Sequence, residues 1–141
     1  MKRLLIIIVI TITLATILFV LFNNDFRYTR ADKMLWKELS STFKENKIAK
    51  IELIADKKVE LIDEEKSNFI NDLGKAQFYK SNWRKEGPTG PVIMIMFENG
   101  TQESFQYWGN AVFETSYKNG QFLIKSIEVD WVLRKHGIGL K

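Results

Sequence analysis

The N-terminal part of the chain is predominantly apolar from Leu4 to Phe22, where threonines at 11, 13 and 16 are the only polar residues. This run of 19 residues contains no charged residue, no proline and no glycine. At a rise of about 1.5 Å per residue, a helix of this length would span roughly 28 Å, close to the ~30 Å hydrocarbon core of a bilayer. The pattern therefore predicts a single N-terminal transmembrane helix.

The basic leader before the run, Lys2 and Arg3, would also suit a secretory signal peptide. A cleavable signal has a shorter apolar core that ends in small residues, whereas bulky side chains occupy 19–22 here. We therefore interpret the run as an uncleaved anchor. The short basic leader favours an N-terminus inside the cell and a domain outside, although Arg27 and Arg30 beyond the run weaken this charge argument.

Beyond residue 24 the apolar residues follow the periodicities of a folded domain, which predicts an anchor at 1–24 and an extracytoplasmic domain at 25–141. The segment Thr29 to Asn46 predicts an amphipathic helix, because its apolar residues recur at i, i+4 and i+8. Thr29 and Asp32 have the spacing of a capping box at its start. This helix would either lie at the membrane surface or pack on the domain, and we favour packing on the domain.

Short segments with strand-like alternation make up most of the remaining sequence. Two Asn-Gly pairs, at 99–100 and 119–120, predict hairpin turns of type I′. The segment from Val92 to Phe97 is apolar at every position, which predicts a central strand covered on both faces. The predicted strands are Ile48–Ile54, Val59–Ile62, Gln77–Lys80, Val92–Glu98, Thr101–Trp108, Val112–Tyr117 and Gln121–Lys125.

Two further helices are predicted around these strands. Asp63 is a suitable N-cap for the first, which Gly74 would end. Residues 126–135 fit either a helix capped by Ser126 or an alternating strand, and the cations before Gly137 favour the helix. The predicted fold is α+β: a single N-terminal transmembrane helix followed by a small antiparallel-sheet domain with two or three helices packed on it.

Two groups of residues are candidates for binding. Trp83 and Arg84 lie in a long loop that also holds both prolines, and tryptophan with arginine is typical of interface anchors. Tyr107 and Trp108 are adjacent in a predicted strand, so their side chains must point to opposite faces of the sheet. One of the two would therefore be exposed unless a helix covers it.

The charge balance argues against nucleic-acid binding. The chain has 21 basic and 17 acidic residues. Without Lys2 and Arg3, which precede the anchor, the rest of the chain has 19 basic and 17 acidic residues and is nearly neutral. No segment concentrates positive charge in the way that binding to phosphate backbones requires.

The sequence lacks the residues that most catalytic sites need. It has no cysteine and a single histidine, His136, so a Cys-His dyad and a histidine-rich metal centre are excluded. We therefore predict a non-catalytic, membrane-anchored extracytoplasmic module with no cofactor or metal, which contacts lipid through its helix and binds a protein or envelope partner. The alternatives are an accessory subunit of a membrane complex and a carboxylate-dependent cell-envelope hydrolase.

Overall fold

A computed structural model describes residues 2–79 and 90–138, and within the first helix it leaves the side chains of 2–9 and 19–29 undescribed. The architecture is α+β, and the chain divides into two compact units, Met1–Asp32 and Lys33–Lys141. The elements are α1 (Lys2–Glu45), β1 (Ile48–Ile54), β2 (Lys58–Glu60), α2 (Asp63–Gly74), β3 (Gln77–Tyr79), β4 (Val92–Phe97), β5 (Gln102–Gly109), β6 (Val112–Tyr117), β7 (Gly120–Lys125) and α3 (Ile127–Lys135).

Helix α1 is continuous, so the predicted helix start at Thr29 is wrong. No proline or glycine occurs between 2 and 45, and nothing in that stretch forces the helix to end. In the first unit, every side chain at 10–18 is exposed, including five large apolar ones. Among the described residues, no helix is both long and apolar enough to cross a membrane. The rest of the predicted anchor, 4–9 and 19–22, lies outside the described side chains.

The C-terminal part of α1 supplies core residues to the second unit. Leu39 is fully buried, and Trp36 and Phe43 are nearly so. The Trp36 indole donates a 3.1 Å hydrogen bond to the carbonyl oxygen of Ala76, so its one polar atom is paired inside the core. This confirms that the helix packs on the domain.

The seven strands form one antiparallel sheet in the order β2-β1-β4-β5-β6-β7-β3. Strands β4 to β7 form a meander in chain order, and β1 joins it beside β4. Strand β3 pairs with β7, opposite Leu123 to Lys125, so three strands separate it from β4, the strand that follows it in the sequence. Both outer strands are only three residues long, which limits the exposed edge.

The hairpins occur where the sequence predicts them, but their turns differ from type I′. At the first, Gly100 has a φ of +84° and Asn99 does not adopt a positive φ. The Gly100 amide donates to the carbonyl of Phe97, as in a three-residue connection with glycine in the left-handed region. At the second, Tyr117 pairs with Gly120, so Lys118 rather than Gly120 holds the positive φ, +53°.

One face of the sheet carries the core, to which α2, α3 and the second part of α1 all contribute. Strand β4 shows the difference between the two faces: Ile93 and Ile95 are fully buried, whereas Val92, Met94 and Met96 are only half-buried. The expectation that β4 is covered on both faces is therefore wrong. The helices account for this, because the buried apolar residues of the three helices belong to the same cluster as Ile93 and Ile95.

Candidate functional site

A groove of about 380 Å³ lies between α2 and α3. Phe69 and Val132 contribute apolar surface to it, and Trp131 and Ile127 line it from α3. Trp131 is 60% exposed and Ile127 is 68% exposed. The α2–α3 groove is lined by Glu65, Asn68, Phe69, Asp72, Ile127, Glu128, Trp131, Val132 and Lys135.

Helix α3 confirms the helical prediction for 126–135. The buried apolar positions are Val129 and Leu133, one turn apart, with Val132 half-buried beside them. Apolar residues therefore occupy both sides of this helix, and the Ile127–Trp131 side faces solvent. This surface differs from an ordinary amphipathic helix because a second apolar i, i+4 pair lies outside the core.

The N-terminus of α3 is fixed by a side-chain cap. The Val129 amide donates a 3.2 Å hydrogen bond to the hydroxyl oxygen of Ser126, which is itself buried. This is the predicted N-cap geometry, and it satisfies one amide that the helix leaves without an internal partner. Ile127, the first helical residue, is therefore held in place directly beside the groove.

A buried carboxylate holds the middle of α3 to the sheet. Asp130 accepts a 2.5 Å hydrogen bond from the Tyr107 hydroxyl and a 2.8 Å hydrogen bond from Nε of Arg134. Desolvation by burial is the main reason why the pKa of Tyr107 is raised, and its hydrogen bond to Asp130 adds to the shift. The phenol thus stays protonated and donating, and this contact fixes the helix that carries Trp131.

A second polar contact joins the two helices across the groove. Lys135 Nζ lies 2.7 Å from Glu65 Oε1, and His136 Nε2 lies 3.3 Å from the same oxygen. The hydrogen bond from Lys135 is the largest influence on Glu65, and the pKa of this carboxyl is lowered. The Lys135 ammonium also lies 5.9 Å from the centre of the Trp131 ring, within cation–π range. An ion pair therefore joins α2 and α3 at the C-terminal end of α3.

The sequence-predicted candidates occupy different places. Trp83 and Arg84 lie outside the described residues. Tyr107 is 4% exposed and belongs to the core, where its hydroxyl binds Asp130. Trp108 is half-buried, and its Nε1 has no hydrogen-bond partner among the described residues. The structure therefore gives Tyr107 a structural contact, and the binding role of these four residues stays a prediction.

The face of the sheet opposite the core carries a charged cluster at one edge. Glu52 is 1% exposed, and its Oε1 lies 2.6 Å from Lys50 Nζ and 2.7 Å from Lys58 Nζ. The hydrogen bond from Lys50, followed by that from Lys58, lowers the pKa of Glu52. Lys50 also pairs with Glu60 at 3.0 Å. The Glu52 carboxylate is therefore neutralised by two lysines. Its lowered pKa is explained by these ion pairs and gives no support to a catalytic role.

Sequence reasoning missed Trp131 and Ile127 as surface residues. Ile127 and Trp131 have the i, i+4 spacing of a helix, but the same spacing occurs for Val129 and Leu133. The presence of two apolar rows on a nine-residue helix could have indicated an exposed apolar surface, because only one row can face the core.

In the described part of the chain, no group of three or more histidine, aspartate or glutamate side chains is arranged so that it could bind a metal ion. Comparisons with protein-family models, with curated proteins and with solved structures find no match to this chain.

Proposed function

We propose that this protein is a non-catalytic, membrane-tethered binding module that holds a partner protein in the α2–α3 groove. The observation that carries the proposal is the exposure of Trp131 and Ile127 on a helix that is otherwise firmly fixed. Large apolar side chains on a rigid, concave surface are typical of interface anchors, and tryptophan is enriched among the residues that dominate binding energy.

The membrane attachment is proposed from the apolar run, Leu4 to Phe22. In support, the run lies within one uninterrupted helix, and its described side chains at 10–18 are exposed. Five of these are isoleucine or leucine with exposures between 49% and 61%. A helix with exposed apolar residues on several sides is favourable in lipid and costly in water. The basic leader, Lys2 and Arg3, favours an internal N-terminus and an external domain.

Site-specific photocrosslinking in native membranes tests the binding function. A photoreactive phenylalanine derivative in place of Trp131 is expected to form a discrete adduct. The same derivative in place of Met34, which is 65% exposed on α1, is the matched control and should give no such adduct. If crosslinks at both positions are equally weak or equally diffuse, the groove is not the binding site.

A reporter fused after Lys141 tests the membrane attachment and its orientation. An alkaline phosphatase fusion should be active, because the domain would lie outside the cell. It should also sediment with membranes, because the N-terminal helix would anchor it there. A version with Leu14 and Ile17 both changed to Lys should lose membrane association, since a charge near the bilayer centre is strongly disfavoured. A soluble fusion with the natural sequence would contradict the anchor.

A further inference from the structure

We propose that the partner segment in the α2–α3 groove is an amphipathic helix whose apolar row is flanked by lysine or arginine. This inference rests on the proposed binding function and specifies the chemistry of the partner. It is carried by two properties of the groove, the spacing of its apolar side chains and the sign of the charge around them.

The apolar side chains of the groove have the spacing of a helix-packing surface. Ile127 and Trp131 stand one turn apart and form an i, i+4 ridge along α3. Such ridges pack into the spaces between equivalent rows on a neighbouring helix. The α2 helix has 12 residues and α3 has nine, so their lengths are about 18 Å and 14 Å, which match the contact length of a partner helix of about three turns.

The charged side chains lining the groove are predominantly acidic. Glu65, Asp72 and Glu128 contribute three carboxylates, against the single ammonium of Lys135. That ammonium is already paired with Glu65, 2.7 Å away. Within the described chain, the Glu128 carboxylate has no cation within 4 Å, and Asp72 has only the longer 3.4 Å pair with Lys75. Cations of a partner can therefore pair with Asp72 and Glu128 while its apolar row contacts Trp131.

The same charges argue against two other occupants. The same groove on a second copy offers one ammonium, that of Lys135, and this is already paired with Glu65, so a second copy is a poor source of cations for Asp72 and Glu128. An anionic lipid surface would be repelled by the carboxylates of Asp72 and Glu128. A basic helix of a partner protein is the occupant that satisfies both the apolar and the acidic parts of the surface.

Two model peptides test this chemistry on the full chain in nanodiscs of zwitterionic lipid. The first is a dye-labelled helical peptide of about 14 residues, with leucine at i, i+4 and i+7 and lysine on either side of that row. The second carries glutamate in place of each lysine. Fluorescence anisotropy, with empty nanodiscs as background, should show the lysine peptide binding at least about tenfold more tightly, and added salt should reduce this difference.

Variants of the groove show whether binding occurs there. Trp131→Ala is expected to weaken binding of the lysine peptide at least about tenfold. Met34→Ala, at an equally exposed apolar position on another helix, should leave binding unchanged. The double variant Asp72→Lys and Glu128→Lys should reverse the preference, so that the glutamate peptide binds more tightly. Circular dichroism and thermal unfolding verify that each variant retains the fold.

The outcomes separate this inference from the proposed function. Equal affinity for the two peptides, or binding that Trp131→Ala does not alter, would overturn the basic-helix inference. A dimer that Trp131→Ala abolishes would assign the groove to a second copy and overturn it as well. If neither peptide binds but photocrosslinks still form at position 131, the inference fails and the binding function stands. If both experiments are negative, both proposals fail.

Discussion

The Tyr107 hydroxyl donates a 2.5 Å hydrogen bond to the carboxylate of Asp130 and thereby ties the middle of α3 to strand β5. Both residues are buried, with exposures of 4% and 8%. The residue next to Asp130 is the exposed Trp131, so a contact inside the core fixes the position of the proposed binding surface.

Replacing Tyr107 with Phe should destabilise the protein by about 1–3 kcal/mol, because a buried carboxylate loses one of its donors. Chemical unfolding of the full chain in detergent measures the change. Tyr117→Phe is the matched control: its hydroxyl lies 3.3 Å from the exposed Glu38, and its loss should change stability by less than about 0.5 kcal/mol. Equal effects of the two changes would contradict the structural role given to Asp130.

The Glu65 contacts predict a specific pH dependence. Its pKa in the folded protein is lowered from 4.5, mainly by the hydrogen bond from Lys135. The stability that Glu65 contributes is therefore fully present above pH 4.5 and is lost as pH falls through the lower folded pKa.

Glu65→Gln should consequently be less stable than the natural protein at neutral pH, and the two unfolding curves should converge in acid. Unfolding measured at a series of pH values checks this. Glu64→Gln removes a carboxylate from the same helical turn without disrupting an ion pair of the described chain, and it is the matched control. A constant difference between Glu65→Gln and the natural protein at every pH would exclude the ion pair as its cause.

Leu39 tests whether the second part of α1 belongs to the folded domain. Its side chain is fully buried, so Leu39→Ala should cost about 2–5 kcal/mol through lost apolar contact and the cavity left behind. Met34→Ala, on the same helix at an exposed position, should change stability by less than about 0.5 kcal/mol. If thermal unfolding does not distinguish the two variants, α1 does not pack on the sheet.

Two glycines should respond in opposite ways to the same substitution. A Cβ at Gly90 would lie 2.6 Å from Tyr107 Cδ1 and 2.9 Å from its carbonyl oxygen, so Gly90→Ala should destabilise the protein by about 1–3 kcal/mol. A Cβ at Gly74 would meet no atom within 4 Å, and Gly74→Ala should be neutral or stabilising by up to about 1 kcal/mol. Comparison of the two melting temperatures checks the packing beside Tyr107.

The sequence predicted the order and type of the elements well, because period-2 alternation and turn residues are local properties. Strands β1 and β6 have the bounds that their alternation predicts, Ile48–Ile54 and Val112–Tyr117. The continuity of α1 was missed, since the capping box at Thr29 is a local preference that the surrounding helix overrides.

The candidate site was harder to predict because it depends on which side of a helix meets the sheet. Val129 and Leu133 compete with Ile127 and Trp131 for that contact, and both pairs have the same spacing. The choice is made by tertiary packing and by Asp130, whose hydrogen bond to Tyr107 requires its side of α3 to face inward. Neither influence is visible in the periodicity of a single short helix.

The position of β3 has a consequence for the way this sheet is assembled. In the described chain, Gln77–Tyr79 pairs only with β7, where Phe78 lies opposite Ile124. During synthesis on the ribosome, β3 leaves the exit tunnel well before the strand that receives it. Its native pairing must wait for Lys125, so this edge of the sheet closes only after β7 has been synthesised, when the hairpins that precede β7 can already have formed.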